Sequence, residues 1–303
     1  MHLLETRPVP MTTTLSDEQI ACFRERGYLP LDAITSAEEV ERLRGIFDRL
    51  FAERAGWEKG KSFDLAGSDD ADKTPVLPQI LNPIEFAPEL GETQFRINAL
   101  AIARQLLGPT AEPWFEHAIF KPAHYGAPTP WHQDEAHRYD PGVDYEQLSI
   151  WMPLQPATIE NGCMKYIPGS NRGPILEHRS LGGDPRKSAL ECIGEFDRTA
   201  ADPCPMPPGG AAIHHCRTLH GSGANTTDLP RRAYILAFRS APVPAASREM
   251  FPWLVGKITP AAERAEAWEK RGGPLGRGMR HVGEFTRSFA GKVKRRVRRM
   301  LGN

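Results

Sequence analysis

The spacing of apolar residues in the N-terminal third predicts helices. Two capping boxes, Ser-Asp-Glu-Gln at 16–19 and Ser-Ala-Glu-Glu at 36–39, each stand immediately before an apolar-periodic run. After the second box, apolar residues recur in steps of three and four, at Val40, Leu43, Ile46, Phe47, Leu50 and Phe51. This stripe predicts a helix that faces the core.

Between and after these helices the pattern changes three times. Residues 27–31 predict a short strand, and residues 95–107 predict another amphipathic helix, which Gly108 would end. Residues 56–78 are polar and charged, and their carboxylates lack the spacing of an EF-hand loop. We interpret this stretch, including Asp69, as a solvated loop that acts as a lid.

Beyond residue 110 the chain alternates between short β-rich runs and Pro- or Gly-containing turns. The predicted strands are 114–121, 147–154, 164–167, 211–219 and 233–238. Many short strands with such turns favour a sandwich or barrel, of which the jelly roll is the double-sheet form. We therefore predict a mainly β fold with flanking helices, in which the N-terminal helices cover one sheet.

The C-terminal segment has a different composition. Residues 271–303 contain ten Lys or Arg and one acidic residue, Glu284, which gives a net charge of about plus nine. Apolar residues recur there at helical steps: Val282, Phe285, Phe289, Val293, Val297 and Leu301. A basic amphipathic helix of this kind, over 279–303, binds either an anionic membrane surface or an acidic surface of the protein's own body. We predict a single domain over 1–270, with its jelly-roll core at 110–240, followed by this tail.

Composition excludes several classes of protein. The 38 basic and 38 acidic residues of the 303-residue chain balance, so no overall field attracts nucleic acid. The five cysteines are scattered and never form a Cys-x-x-Cys pair, which argues against a disulfide framework and against structural zinc. We find no secretory signal and no apolar run long enough to cross a bilayer. The expected compartment is the cytoplasm.

Candidate chemistry begins at Pro-Trp-His-Gln-Asp, residues 130–134. On an extended strand side chains repeat every second residue, so His132 and Asp134 project from one face and can reach the same metal ion. One imidazole and one carboxylate, joined by a second histidine, form the facial triad of Fe(II) oxygenases. A His-x-Asp pattern alone is weak, and the second histidine has to come from elsewhere in the chain.

His220 supplies it, within Thr-Leu-His-Gly-Ser-Gly-Ala-Asn at 218–225 and ahead of Arg231. With these motifs, the chain from about residue 15 to 240 resembles the phytanoyl-CoA dioxygenase family. The matching pieces are Leu-Ser-Asp-Glu-Gln-Ile-x-x-Phe-x-x-x-Gly-Tyr (15–28), Trp-His-Gln-Asp (131–134), Glu-Asn-Gly-Cys-Met (160–164), Ile-Pro-Gly-Ser (167–170) and His-Gly-Ser-Gly (220–223). The resemblance implies a double-stranded β-helix, a cupin-like jelly roll, that uses Fe(II), 2-oxoglutarate and O2.

The resemblance also assigns roles to individual residues. It implies that His132, Asp134 and His220 hold iron, and that Arg231 pairs with the distal carboxylate of 2-oxoglutarate. A planar guanidinium suits that task because it offers a carboxylate two parallel donors. Ser222 is expected to add a hydroxyl to the same carboxylate, and Trp151 is expected near the co-substrate. Arg232 is the competing anchor, since adjacent strand residues face opposite ways.

The identity of residue 134 limits which reactions the site is expected to catalyse. Related halogenases have a small residue there, so the carboxylate of Asp134 argues against halogenation. The implied reaction is hydroxylation of a small-molecule metabolite with release of succinate and CO2, and desaturation, ring closure or epimerisation differs only in the fate of the substrate radical. The alternative is a catalytically silent jelly-roll binding module that acts through its basic C-terminal helix.

Other polar residues compete for roles at the site. His137 would complete a local His-x-Asp-x-x-His pattern, but its odd offset from His132 points it to the other face. His214 shares parity with His220 on the predicted 211–219 strand, and we assign it a hydrogen-bonded core role. His117 and Lys121 share a face of their strand and are candidates for contact with substrate or co-substrate.

Overall fold

The computed structural model describes residues 11–70, 72–247 and 249–271. Its α-helices are α1 Asp17–Arg26, α2 Ala37–Ala52, α3 Gln94–Leu107 and α4 Pro260–Lys270. Its strands are β1 Tyr28–Leu31, β2 Ser62–Asp64, β3 Pro78–Leu81, β4 Glu112–Lys121, β5 Thr129–His132, β6 Val143–Asp144, β7 Gln147–Pro153, β8 Met164–Tyr166, β9 His178–Ser180, β10 Leu190–Cys192, β11 Asp202–Cys204, β12 Ala211–His215, β13 His220–Ser222, β14 Arg231–Arg239 and β15 Val243–Pro244. Within these ranges the predicted helices and strands are therefore present, except that the strand predicted over 211–219 is divided.

Two antiparallel sheets face each other. The larger has the order β1-β12-β7-β14-β4-β3-β2, and the smaller has the order β11-β8-β13-β5. One apolar core packs the outer face of the large sheet against the helices, through residues such as Leu43, Phe47 and Phe95. A second core, which includes Trp151 and Ile235, fills the space between the sheets. This arrangement confirms the predicted jelly roll with helices over one sheet.

The two capping boxes form to different extents. At α1, Ser16 and Gln19 bond reciprocally, as the sequence predicts. At α2, Ser36 accepts from the Glu39 N–H, but the Glu39 carboxylate accepts instead from the backbone N–H groups of Gln94 and Phe95, at 2.7 and 2.8 Å. Glu39 thus caps the start of α3 rather than its own helix, which ties two helices together.

The predicted strand over 211–219 is wrong in its second half. The structure ends β12 at His215, forms a turn, and starts β13 in the other sheet at His220. The turn is fixed by a 2.9 Å bond from the Thr218 N–H to the His215 carbonyl. This crossing matters for the site because His214 and His220 now lie on opposite sheets, with ring centroids 4.2 Å apart.

The interpretation of 56–78 as a solvated loop is also wrong in part. β2 lies within it, and Asp69 is only 5% exposed, because its carboxylate accepts from the Asp64 N–H and pairs with Arg264 at 2.8 Å. Asp64 in turn accepts from the N–H groups of Val76 and Leu77, both at 2.9 Å. These buried carboxylates therefore fold the segment onto the edge of the large sheet.

The basic tail beyond Arg271, including the predicted helix over 279–303, lies outside the described residues. The division into a domain over 1–270 and a tail stays a prediction. Within the ranges that the structure describes, no helix combines the length and the apolar character needed to cross a bilayer. All five cysteines are described, and each is a free thiol.

Candidate iron and co-substrate site

The chain places His132 and Asp134 side by side at the point where β5 ends. His132 is the last residue of the strand, and Asp134 opens a 3-10 turn that runs to His137. Gln133 between them keeps an extended backbone, with φ −118° and ψ 130°, so the strand's alternation continues through it. The two side chains therefore share a face, as predicted, although Asp134 lies beyond the strand.

His220 approaches this pair from the neighbouring strand. It is the register partner of His132 in the β13–β5 ladder. The Nε2 atoms of both histidines lie 3.6 Å from Asp134 Oδ1, and one ligand atom from each residue falls within 4.8 Å of the other two. Two imidazoles and one carboxylate at these separations suit a first-row divalent ion with an open face.

Hydrogen bonds to the backbone select the useful tautomer of each histidine. His132 Nδ1 lies 2.8 Å from the Pro130 carbonyl oxygen, and His220 Nδ1 lies 2.8 Å from that of Thr218. A carbonyl only accepts, so each Nδ1 carries a proton, and in the neutral form of the ring Nε2 presents its lone pair toward Asp134. Burial, and then His132, lowers the pKa of His220 well below its usual value, which keeps its ring neutral.

The second oxygen of Asp134 is held by groups outside the triad. Ser149 Oγ donates to Oδ2 at 2.9 Å, and His214 Nε2 lies 3.4 Å from the same atom. His214 is oriented in turn by Tyr166, whose hydroxyl lies 3.2 Å from Nδ1. Burial opposes ionisation of Asp134, but the surrounding imidazoles outweigh it and lower the pKa of this carboxyl well below its usual value.

Replacing Ser149 with alanine is expected to weaken Fe(II) binding by roughly tenfold, because a ligating carboxylate loses the donor that orients it. Anaerobic titration of the apoprotein with Fe(II) measures the change. Ser222→Ala is the matched control, since Ser222 bonds Thr129 and leaves Asp134 untouched. An unchanged Fe(II) affinity in Ser149→Ala would show that His214 alone orients the carboxylate.

The alternation of β14 decides which arginine enters the space between the sheets. Arg231 is 1% exposed, and its guanidinium carbon lies 5.3 Å from the centroid of the Trp151 ring. Arg232 points to the helical side, where it pairs with Asp48 and lies over Phe120. Within the described residues, Nε and Nη1 of Arg231 are buried without a hydrogen-bond partner. Buried donors of this kind are rare, and they fit a carboxylate such as the distal group of 2-oxoglutarate.

Hydroxyl groups lie on the opposite sheet at this end of the site. Ser222 and Thr129 are register partners, and Ser222 Oγ donates to Thr129 Oγ1 at 3.0 Å. Burial lowers the pKa of Arg231 to about 9, which leaves the guanidinium charged at neutral pH. The residues present therefore fit both an iron ion and an anionic co-substrate.

Three other aromatic residues named in the sequence analysis lie nearby. His137 is T-shaped to His132 with centroids 6.2 Å apart, but it is not part of the group of three potential ligands found among the described residues. His117 faces the interior, and its buried Nδ1 finds no partner in the described part of the chain. Trp131, on the face of β5 opposite His132, packs on Phe196 with centroids 5.6 Å apart.

Sequence reasoning missed Ser149 and Thr129. Ser149 shares strand parity with Trp151, so the alternation of β7 was the signal that could have placed it inside the barrel. Thr129 is two residues before Trp131 and opposes Ser222 only because a β-bulge shifts the β13–β5 register. A bulge leaves no clear mark in the sequence.

Comparison with known proteins places the chain in a family. The model of the phytanoyl-CoA dioxygenase family matches residues 23–233. The chain belongs to the phytanoyl-CoA dioxygenase family. Its relatives include a probable alpha-ketoglutarate-dependent hypophosphite dioxygenase of Stutzerimonas stutzeri, 26% identical over 74% of this chain and 78% of that protein. They also include an ectoine dioxygenase of Sphingopyxis alaskensis, 26% identical over 83% of this chain and 86% of its own length.

The chain is also similar to solved structures. EvdO2 from Micromonospora carbonacea var. aurantiaca, complexed with 2-oxoglutarate, is 40% identical, with a TM-score of 0.67 over 79% of this chain and 97% of that one. The carbocyclase SnoK from nogalamycin biosynthesis, 24% identical, shares the fold with a TM-score of 0.60. This phytanoyl-CoA dioxygenase family member is thus an oxygenase that depends on Fe(II), 2-oxoglutarate and O2, as predicted, and the silent binding module is not favoured.

Proposed function

We propose that this oxygenase hydroxylates a small-molecule metabolite at a site where His132, Asp134 and His220 hold iron. Arg231, Ser222 and Trp151 would bind 2-oxoglutarate. Two observations together support the proposal. Three potential ligand atoms lie within 4.8 Å of one another, and the same interior contains the buried guanidinium of Arg231, two of whose nitrogens have no hydrogen-bond partner among the described residues. Bound iron, with 2-oxoglutarate and O2, supplies the oxidising power for an unactivated C–H bond.

The chain's own groups do the positioning. His132 and His220 direct their Nε2 atoms toward Asp134, while Ser149 and His214 hold one oxygen of Asp134 so that the other faces the histidines. The unpaired donors of Arg231 would fix the orientation of the co-substrate, and the indole ring of Trp151 lies against the guanidinium, with its centroid 5.3 Å from the guanidinium carbon. In the overall reaction one oxygen atom enters the substrate, and 2-oxoglutarate leaves as succinate and CO2.

Mass spectrometry tests this proposal. Candidate metabolites are incubated with enzyme, Fe(II), ascorbate and 2-oxoglutarate, and the expected product gains one oxygen with one succinate formed per product. His132→Ala is the control, and its folding is checked by circular dichroism. A product that has lost two hydrogens would indicate desaturation or ring closure instead of hydroxylation, and a product with the mass of its substrate would indicate epimerisation.

The sequence also supports a proposal about location. We infer that residues 279–303 give a cytoplasmic protein peripheral contact with anionic membranes, and the support is the tail's charge and apolar periodicity alone. Liposome flotation of the chain with and without these residues tests the contact. We expect flotation on vesicles that contain phosphatidylserine only when the tail is present, and equal partitioning of the two proteins would refute it.

A further inference from the structure

The triad is more open on one side than on the other. His132 and Asp134 keep 15% and 23% of their side-chain surface exposed, whereas His220 keeps 4%. His137 ends the 3-10 turn that Asp134 opens, and it lies half-buried beside His132. Its ring has no hydrogen-bond partner among the described residues. A substrate that enters from this side would pass the ring of His137.

A segment that follows the β-sheets in the chain lies against this turn. We call residues 250–257 the strap. Trp253 donates from Nε1 to the Ala136 carbonyl oxygen at 2.9 Å. Leu254, which is 3% exposed, packs with Ala136 and Leu190. These contacts hold the strap against the turn that carries the carboxylate of the triad.

Lys257 ends the strap and reaches the β9–β10 hairpin. Its ammonium donates to Ser180 Oγ at 3.0 Å and to the Lys187 carbonyl oxygen at 2.6 Å, so two of its three donors are used. Among the described residues no carboxylate forms a salt bridge with it. Burial lowers the pKa of Lys257 to about 8, although the charge of Asp184 raises it in part. The ammonium keeps one free donor and a poorly compensated charge, and both suit an anion.

The charge of Lys257 acts on the open side of the triad. Burial, then His132, and then Lys257 lower the pKa of His137 to about 3, so the ammonium lies within electrostatic range of the ring beside the iron ligands. A neutral imidazole offers one N–H donor, and an ammonium is a compact point charge. Together they can bind one anionic group. Arg231 lies between the two large sheets, whereas Lys257 is on the strap, so the two cations are placed for different molecules.

We propose that Lys257 is the anchor for an anionic group of the substrate, with His137 as a second donor, so that the substrate is a small molecule that carries a carboxylate or a phosphate. The inference rests on the proposed function, because it takes iron to be held by the triad. A neutral analogue of the substrate would leave the ammonium without a counter-charge, which makes Lys257 a specificity-determining residue.

Two small anions probe the anchor. Acetate stands for a carboxylate, inorganic phosphate stands for a phosphate group, and acetamide is the uncharged control. The protein is loaded with Mn(II) and saturated with 2-oxoglutarate, so that the co-substrate fills its own site, and protein in excess leaves no free Mn(II). Paramagnetic Mn(II) speeds the nuclear relaxation of molecules that bind near it. Proton NMR of acetate and acetamide and phosphorus NMR of phosphate therefore measure binding close to the metal.

The variants separate charge from shape. Lys257→Gln removes the charge and keeps a donor for Ser180, and Lys257→Arg keeps the charge. Lys187→Met is the matched control, because Lys187 lies on the same hairpin and offers only its main-chain carbonyl to Lys257.

We expect saturable relaxation enhancement with acetate, with phosphate or with both, and a Kd that rises by at least roughly tenfold in Lys257→Gln. Lys257→Arg should keep the Kd within about threefold, since the charge remains. Acetamide should show no saturable enhancement, and Lys187→Met should leave the Kd unchanged. The anion that binds identifies the anionic group of the substrate.

Enhancement that persists unchanged in Lys257→Gln would show that the anion binds the metal itself, and no enhancement with either anion would show that the strap holds no anion site. Either result overturns the proposal, as would a substrate without an acidic group in the mass-spectrometric assay. If the unaltered protein fails to bind Mn(II) or 2-oxoglutarate, the proposed function fails instead, which separates the two claims.

Discussion

Replacing His220 with alanine is expected to abolish stoichiometric Fe(II) binding and, with it, the 2-oxoglutarate-dependent formation of succinate. The variant leaves one imidazole and one carboxylate at a site that has three convergent donors. Iron affinity should fall by more than the roughly 10- to 100-fold that changes around a metal's ligands cost. The metal content of protein reconstituted anaerobically and then desalted measures the loss.

Folding should largely survive this substitution. The neutral ring of His220 makes one hydrogen bond to the Thr218 carbonyl, so its removal should lower the free energy of unfolding by about 1–2 kcal/mol. His137→Ala is the matched control, because this neighbouring histidine lies near His132 but outside the triad. Iron binding lost in His137→Ala and retained in His220→Ala would overturn the assignment of the ligands.

Replacing Arg231 with methionine is expected to raise the Kd of 2-oxoglutarate by roughly a hundredfold or more, since both unpaired donors and a buried charge disappear together. Iron binding should persist, because Arg231 is not among the three convergent ligands. The ligand-free protein should become more stable by about 1–2 kcal/mol, because an uncompensated buried cation is removed. Calorimetric titration and thermal melting measure the two effects.

Arg232→Met provides the control on the adjacent residue. Arg232 points to the helical side and pairs with Asp48, which is 47% exposed, so the change should cost less than about 1 kcal/mol of stability. Binding of 2-oxoglutarate should not change in this variant. Loss of affinity in Arg232→Met instead of Arg231→Met would reverse the choice between the two arginines.

Strand alternation explains why much of the site could be predicted. The extended backbone at Gln133 keeps His132 and Asp134 on one face, and β14 separates Arg231 from Arg232 by the same rule. From the sequence alone, alternation shows that only one of the two adjacent arginines can face the interior, and the choice of Arg231 rested on the resemblance to the family. Tertiary structure settles which arginine is buried, because only one face of a strand can look into the space between two sheets.

Other features depend on contacts that are distant in sequence. The carboxylate of Glu39 has the spacing of a capping box, yet it caps a helix that begins 55 residues later, at Gln94. The apolar run over 211–219 does not show that the chain changes sheets after His215, since both halves are β-rich. The role of Ser149 appears only once β7 lies opposite Asp134. Local patterns report the face of an element but not its neighbours.

Because the chain changes sheets at the turn between β12 and β13, the site is divided between two sheets, and this division affects how the protein loses activity on heating. Both histidines of the triad belong to the small sheet, whereas Arg231, Trp151 and Ser149 belong to the large one. Gentle warming that lets the two sheets move apart would separate iron, which the histidines of the small sheet would hold, from 2-oxoglutarate, which Arg231 of the large sheet would hold, while each sheet stays folded. On heating, enzymatic activity should therefore be lost at a temperature some degrees below the one at which the circular dichroism signal is lost. Saturating 2-oxoglutarate would contact both sheets, so it should bring these two temperatures closer together.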